Sequence, residues 1–137
     1  FYKKVISEFG IAYNNKGEIF RLQGVTPTAM ESYLKALSIW EELHNNRGMA
    51  TAYNNMGILF QTQKNYDEAL KYFNEALKVR IAAKDLIGEA SCYNNIGTVY
   101  LSQEKFDGAK AYMLKARDLF EKKKELKFYW KNLKPMK

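Results

Sequence analysis

Two side chains could take part in bond-making chemistry, and each stands alone. His44 is the one histidine and Cys92 the one cysteine among 137 residues. A lone histidine excludes the usual acid–base triads, and a lone cysteine excludes an internal disulfide or a cysteine-built zinc site. The sequence shows no paired carboxylates, no nucleophile–base set and no phosphate-binding loop. The expectation is a protein that is not an enzyme, with no catalytic residue, metal, cofactor or small-molecule substrate. What does recur is asparagine, as the pairs Asn14-Asn15, Asn54-Asn55 and Asn94-Asn95. A carboxamide carries two donors and an acceptor, so its chemistry is recognition by hydrogen bonding.

The elements that must position these pairs show in the spacing. Ala12-Tyr13-Asn14-Asn15-Lys16-Gly17 returns as Ala52-Tyr53-Asn54-Asn55-Met56-Gly57 and as Cys92-Tyr93-Asn94-Asn95-Ile96-Gly97, at an offset of 40 residues each time. Residues 50–89 and 90–129 share 12 identities in 40, where chance would give about 2–3. Such periods mark repeat architectures. Within a unit, Tyr53, Met56, Gly57 and Phe60 follow helical spacing, and Tyr66, Ala69, Leu70, Phe73, Ala76 and Leu77 form a second apolar stripe. Asn65 with Glu68 reads as a helix start, as does Thr26-Pro27. Gly48 and Gly88 read as turn or C-cap residues just before the next first helix. No segment alternates with period two, so no strand is expected. Six helices are predicted, near 10–23, 27–44, 49–63, 66–84, 89–103 and 106–124. Gly57 and Ala69 let the helices of one unit approach closely, and Ala76 does so toward the next unit. His44 falls near the end of a long helix, a position the dipole favours. Cys92 replaces Ala12 and Ala52 and reads as a small buried thiol.

Composition supports one soluble globular domain. Hydrophobic residues make up 47%, charged residues 27% and aromatics 15%, enough for a sizeable core. No apolar run reaches the roughly 18 residues of a membrane span. The formal charge of +7 is concentrated at the end. Residues 121–137 hold seven lysines against Glu121 and Glu125, while residues 1–120 hold 15 basic and 13 acidic groups. Such a tail reads as a solvated helix end, or as a juxtamembrane or nucleic-acid contact. The nearly balanced body argues against a nucleic-acid partner. Phe128-Tyr129-Trp130 either caps the last helix pair or sits at a membrane interface.

These residues resemble the tetratricopeptide repeat over about residues 10–129. The matching positions are Tyr53, Met56-Gly57, Phe60, Ala69, Phe73 and Ala76 in the middle unit. They are Tyr93, Ile96-Gly97, Tyr100, Ala109, Met113 and Ala116 in the third, and Tyr13, Lys16-Gly17, Phe20, Ala29, Tyr33 and Ala36 in the first. Lys16 and Met113 depart from the pattern, and Lys16 suggests an exposed end. The usual repeat has 34 residues. The 40-residue form is similar to that of LGN-type polarity scaffolds and of the sensor regions of bacterial histidine kinases and LuxR-type regulators. The implied fold is an all-α, right-handed solenoid of three helix pairs with a C-terminal capping or connector helix. The units are 10–49, 50–89 and 90–124. Residues 1–9 are expected to end a preceding helix, the chain opening on Phe1 reads as a fragment, and residues 125–137 form the basic cap or connector.

The resemblance implies a protein- or peptide-binding scaffold, a regulatory or sensor module of a larger signalling protein, with first helices lining a concave groove. Carried over by position, the groove residues are Asn14, Asn15, Asn54, Asn55, Asn94 and Asn95, with Thr51, Ser91, Glu18, Ile58, Thr98, Arg21 and Gln61. The second asparagine of each pair would form a ladder along an extended peptide, as in LGN-type and kinesin light chain repeats. Inter-repeat hydrogen bonding is the alternative role, since asparagine is disfavoured inside helices. A clamp for a terminal carboxylate is not expected, because the matching positions carry Asn, Thr, Ser and Ile. The alternative function is an adaptor that self-associates through its helix ends. A membrane would be reached only through a continuation of the basic tail, and the compartment is left open.

Overall fold

The computed structural model describes residues 1–133, and residues 134–137, the end of the expected basic connector, lie outside them. Among the described residues there are six helices and no strand: α1 (Tyr2–Leu22), α2 (Thr26–Glu42), α3 (Asn46–Thr62), α4 (Tyr66–Ala82), α5 (Leu86–Ser102) and α6 (Phe106–Leu133). Each helix packs against its sequence neighbours, and the one further pair in substantial contact is α1 with α3. That is the quasi-one-dimensional packing of a repeat solenoid.

The regularity comes from one turn used five times. Helices α2 to α5 have 17 residues each, and three-residue links join all six helices. The middle residue of each link is left-handed: Gly24, His44, Lys64, Lys84 and Glu104, with φ between 51° and 76°. The third residue then donates its N–H to the carbonyl five residues back, as Asn45 does to Trp40 at 2.9 Å and Asp85 to Arg80 at 3.0 Å. This satisfies carbonyls left open at the helix end. The same third residue caps the next helix. The Asn45 and Asp85 side chains accept from the N–H groups of Gly48 and Gly88 at 2.8 and 2.9 Å. Asn65 accepts from Glu68 at a longer 3.5 Å. At Val25 there is no capping side chain, and Pro27 in the first turn presets the helix.

Four expectations change at these boundaries. Gly48 and Gly88 lie inside the first turns of α3 and α5, because the caps at Asn45 and Asp85 start those helices three residues earlier. His44 is the left-handed turn residue after α2 and not its last turn. Residues 1–9 do not end a separate helix, since α1 runs unbroken from Tyr2. Val5 stands where Asn45 and Asp85 cap, and Glu8 stands where Gly48 and Gly88 fit, so nothing breaks the helix there. By the same logic α6 continues past residue 124 as one 28-residue helix. Glu125 replaces the capping acid, and Phe128 replaces the glycine.

The core is a seam of small and large residues. Ala29, Ala36, Ala50, Ala52, Ala69, Ala76 and Ala90 are fully buried, with Tyr33, Phe73, Met56, Ile96 and Val99 as the bulky fill. Each unit sets a glycine of its first helix against a large residue of its second: Gly17 with Tyr33, Gly57 with Phe73 and Gly97 with Met113. Outside this seam, Tyr72 stacks between Tyr53 and Phe60, and Tyr112 lies between Tyr93 and Tyr100 in the next unit. Lys16 is exposed, whereas Met56 and Ile96 at the equivalent places are buried.

Candidate functional site

The three asparagine pairs sit midway along α1, α3 and α5, which follow one another through the array. Their environments differ. Asn95 donates its amide N–H to the Asn54 side-chain oxygen, so this pair spans the junction between the second and third units. The inter-repeat role thus holds for Asn54 and Asn95. Beside it, Gln61 donates to the Thr98 hydroxyl at 3.1 Å, and that hydroxyl donates to the Asn95 carbonyl at 2.7 Å. Four of the expected groove residues therefore bond to one another across α3 and α5.

The equivalent junction between the first and second units is open. Asn14 and Asn55 occupy the positions of Asn54 and Asn95, yet the Asn14 side-chain oxygen is buried without a hydrogen-bond partner. A cavity of about 400 Å³ lies there. It is lined by Ile11, Asn14, Asn15 and Glu18 of α1, by Trp40 of α2, by the capping Asn45, and by Arg47, Gly48, Thr51 and Asn55 of α3. Trp40 is 5% exposed, and its indole nitrogen also has no partner. The indole is held between two glycines. A Cβ at Gly10 would come within 2.7 Å of it, and one at Gly48 within 2.3 Å.

The charges around this cavity are partly committed. Glu18 accepts from Arg21 at 2.9 Å and from the Tyr33 hydroxyl. The Arg21 hydrogen bond, more than any other contact, holds the Glu18 carboxyl below the usual carboxylate range. Burial first, then Glu18, pushes the Tyr33 hydroxyl well up. Arg47 is exposed at the rim.

The expected groove set is thus divided. Asn14, Asn15, Thr51 and Asn55 share the cavity. The Thr51 hydroxyl donates to the Arg47 carbonyl, and Ser91 likewise donates to the Ile87 carbonyl. Ile58 packs against the core cluster around Phe73. Arg21 is paired with Glu18. Asn94 is exposed. Trp40 was not foreseen as part of the site. Its signal was the pair of glycines, Gly10 and Gly48, whose space it fills.

In the second unit, Arg80 takes the place of Trp40 and pairs with Asp85 at 2.8 Å. Among the described residues, no group of three or more His, Cys, Asp or Glu side chains could hold a metal ion. None of the described helices is long and apolar enough to cross a membrane.

The family model for the tetratricopeptide repeat matches residues 8–82 and again 48–122. No curated protein matches the chain. Among solved structures, BtubC (BKLC) from P. vanneervenii is 24% identical with a TM-score of 0.74, over 84% of this chain and 48% of that one. The chain therefore spans about half the length of BtubC. The TPR domain of Arabidopsis FLU is 19% identical with a TM-score of 0.74, over 85% of this chain and 98% of that one. Aspartyl phosphate phosphatase F from Bacillus subtilis is 22% identical with a TM-score of 0.79, over 88% of this chain and 32% of that one. At these identities the likeness is one of fold.

Proposed function

Because the chain belongs to the tetratricopeptide repeat family, whose members are generally non-catalytic protein-interaction scaffolds, we propose that it binds an extended peptide segment of a partner protein along α1, α3 and α5. The three repeats 10–49, 50–89 and 90–124 are the binding unit. The observation that carries this reading is the cavity between α1 and α3, lined by Asn14, Asn15, Thr51 and Asn55. Three successive helices offer carboxamides at one position, and a carboxamide matches a peptide N–H or C=O whatever the side chain. Asn15 and Asn55 are the better contact residues, since Asn95 is engaged by Asn54. Arg21 is committed to Glu18 and so is not offered to a terminal carboxylate. The Tyr-Asn-Asn-x-Gly wording and its likeness to bacterial sensor regions support a regulatory module within a larger signalling protein.

The test is binding to an immobilised library of extended peptides, comparing wild type with the Asn15→Ala/Asn55→Ala variant. Circular dichroism confirms that both fold. Selection of a peptide motif by wild type and its loss in the folded variant supports the groove. Equal selection by both removes the asparagines from the site.

A second reading is self-association through the helix ends. Ile19 is 54% exposed, whereas Leu59 and Val99 at equivalent positions are 2% and 0% exposed. Stacking of a second copy on α1 would bury it. A mass by light scattering that rises with concentration supports this reading, and a constant monomer mass rejects it.

A further inference from the structure

Charge is sorted between the helices of this array. In 17 residues each, α3 and α5 carry one charged side chain apiece, Arg47 and Glu89. α2 and α4 have the same length and carry four and six. The two exceptions stand apart from the asparagines. Arg47 is exposed at the rim of the cavity, about two turns before Asn55. Glu89 accepts from the Tyr93 hydroxyl at 3.1 Å. On α1, Glu18 is neutralised by Arg21. Lys16 stands where Met56 and Ile96 turn toward the preceding unit.

Around the asparagines, α3 and α5 therefore present amides and hydroxyls. The hydroxyl protons are already used: Thr51, Ser91 and Thr98 donate to the carbonyls of Arg47, Ile87 and Asn95. Their oxygens offer lone pairs, which a carboxylate would meet with like polarity. A lysine or arginine laid there would lose water, while the one carboxylate of α5, Glu89, is turned to Tyr93. A peptide N–H or C=O finds partners among the same groups at no such cost. Neighbouring first helices lie about 10 Å apart, and an extended chain rises about 3.3 Å per residue, so about three residues bridge two helices. We propose that the stretch of partner peptide seated on α3 and α5 is uncharged, free of Asp, Glu, Lys and Arg, and held by its main chain. The proposal rests on the peptide-binding reading and specifies its ligand.

The experiment takes the peptide selected from the library by the full chain and replaces its central residue by Glu, Lys or Gln. The expected result is that Glu and Lys each weaken binding by about tenfold, while Gln stays within about twofold. Weakening by both signs separates this surface from the basic end of α6, which would favour Glu. Asn55→Asp, shown folded by circular dichroism, places one carboxylate on α3 and should bind the Lys peptide about fivefold more tightly than the Glu peptide. Undiminished binding of either charged peptide to wild type overturns the uncharged assignment and leaves the peptide-binding reading standing. Equal treatment of the Lys and Glu peptides by Asn55→Asp overturns the seat on α3. Failure of the library to yield any peptide overturns both readings together.

Discussion

Asn95 of α5 donates its side-chain amide to the side-chain oxygen of Asn54 on α3, joining two repeats at their midpoint. Asparagine weakens a helix interior, and a bond between two such residues offsets that cost. A double-mutant cycle with Asn54→Ala and Asn95→Ala should return a coupling of about 0.5–1.5 kcal/mol in urea denaturation. The matching cycle on Asn14 and Asn55 should give close to zero in the absence of ligand, since no bond joins them. Equal coupling at both junctions would mean that the two are alike in solution.

The glycines of the first helices should not respond alike to alanine. A Cβ on Gly57 would fall 2.6 Å from the rigid ring of Phe73, while one on Gly97 would meet the flexible Cγ of Met113 at 3.0 Å. Alanine gains about 1 kcal/mol of helix propensity at either place. Overpacking against the ring costs about 1–3 kcal/mol. Gly57→Ala should therefore lower stability by up to about 2 kcal/mol, and Gly97→Ala should lose less, staying within about 1 kcal/mol of wild type. Thermal melts of the two variants, run side by side, test the difference, and similar losses would argue against it.

The helix pairs were legible because the repeat prints its small and large residues at fixed spacing. Gly57, Ala69, Phe73 and Ala76 are all at the contacts their types suggest. The boundaries were less so. Gly48 and Gly88 look like terminators, but the side chains of Asn45 and Asp85 reach forward three residues and turn them into first-turn positions. The absence of a break at Val5 and at Glu125 is readable only once those caps are known. For the site, the asparagine columns pointed to the right helices. They did not show that one junction closes on itself while its neighbour stays open. Trp40 lines the open junction, and its counterpart one unit on, Arg80, is paired with Asp85.

The five turns share a left-handed middle residue, and four of these are not glycine. A side chain there costs about 1 kcal/mol, partly recovered because glycine is more flexible when unfolded. Lys64→Gly and Glu104→Gly should each stabilise the fold by up to about 1 kcal/mol. Gly24→Ala should cost about 1 kcal/mol. Denaturation midpoints decide it, and destabilisation by both glycine variants would contradict the turn geometry.

Asp85 should make stability fall in acid. The N–H of Gly88, and next the Arg80 guanidinium, hold its carboxyl below the usual range. A carboxyl depressed in the folded state stabilises above its unfolded value and loses that contribution as pH falls through its folded value. The side chain is 37% exposed, so the effect is under about 1 kcal/mol. Asp85→Asn retains the cap, as Asn45 does one unit earlier, but no longer titrates. Between neutral pH and pH about 3, wild type should lose more stability than this variant. Parallel losses would assign the acid sensitivity to other carboxyls, with Glu18 the first to examine.

Cys92 should report opening of the array and not a reactive site. It is 3% exposed, packs near Ala50 and Ala76, and burial pushes its thiol up to about 11. At pH about 8 only roughly one thiol in a thousand is then ionised, and the reagent has no path to it in the closed helix pair. Labelling by a disulfide reagent should run orders of magnitude slower in buffer than in urea, and it should speed up in destabilised variants such as Gly57→Ala. Cys92→Ala restores the residue found at Ala12 and Ala52, so it should cost no more than about 1 kcal/mol. Fast labelling of the stable wild type would place the thiol at the surface and contradict its packing beside Ala50 and Ala76.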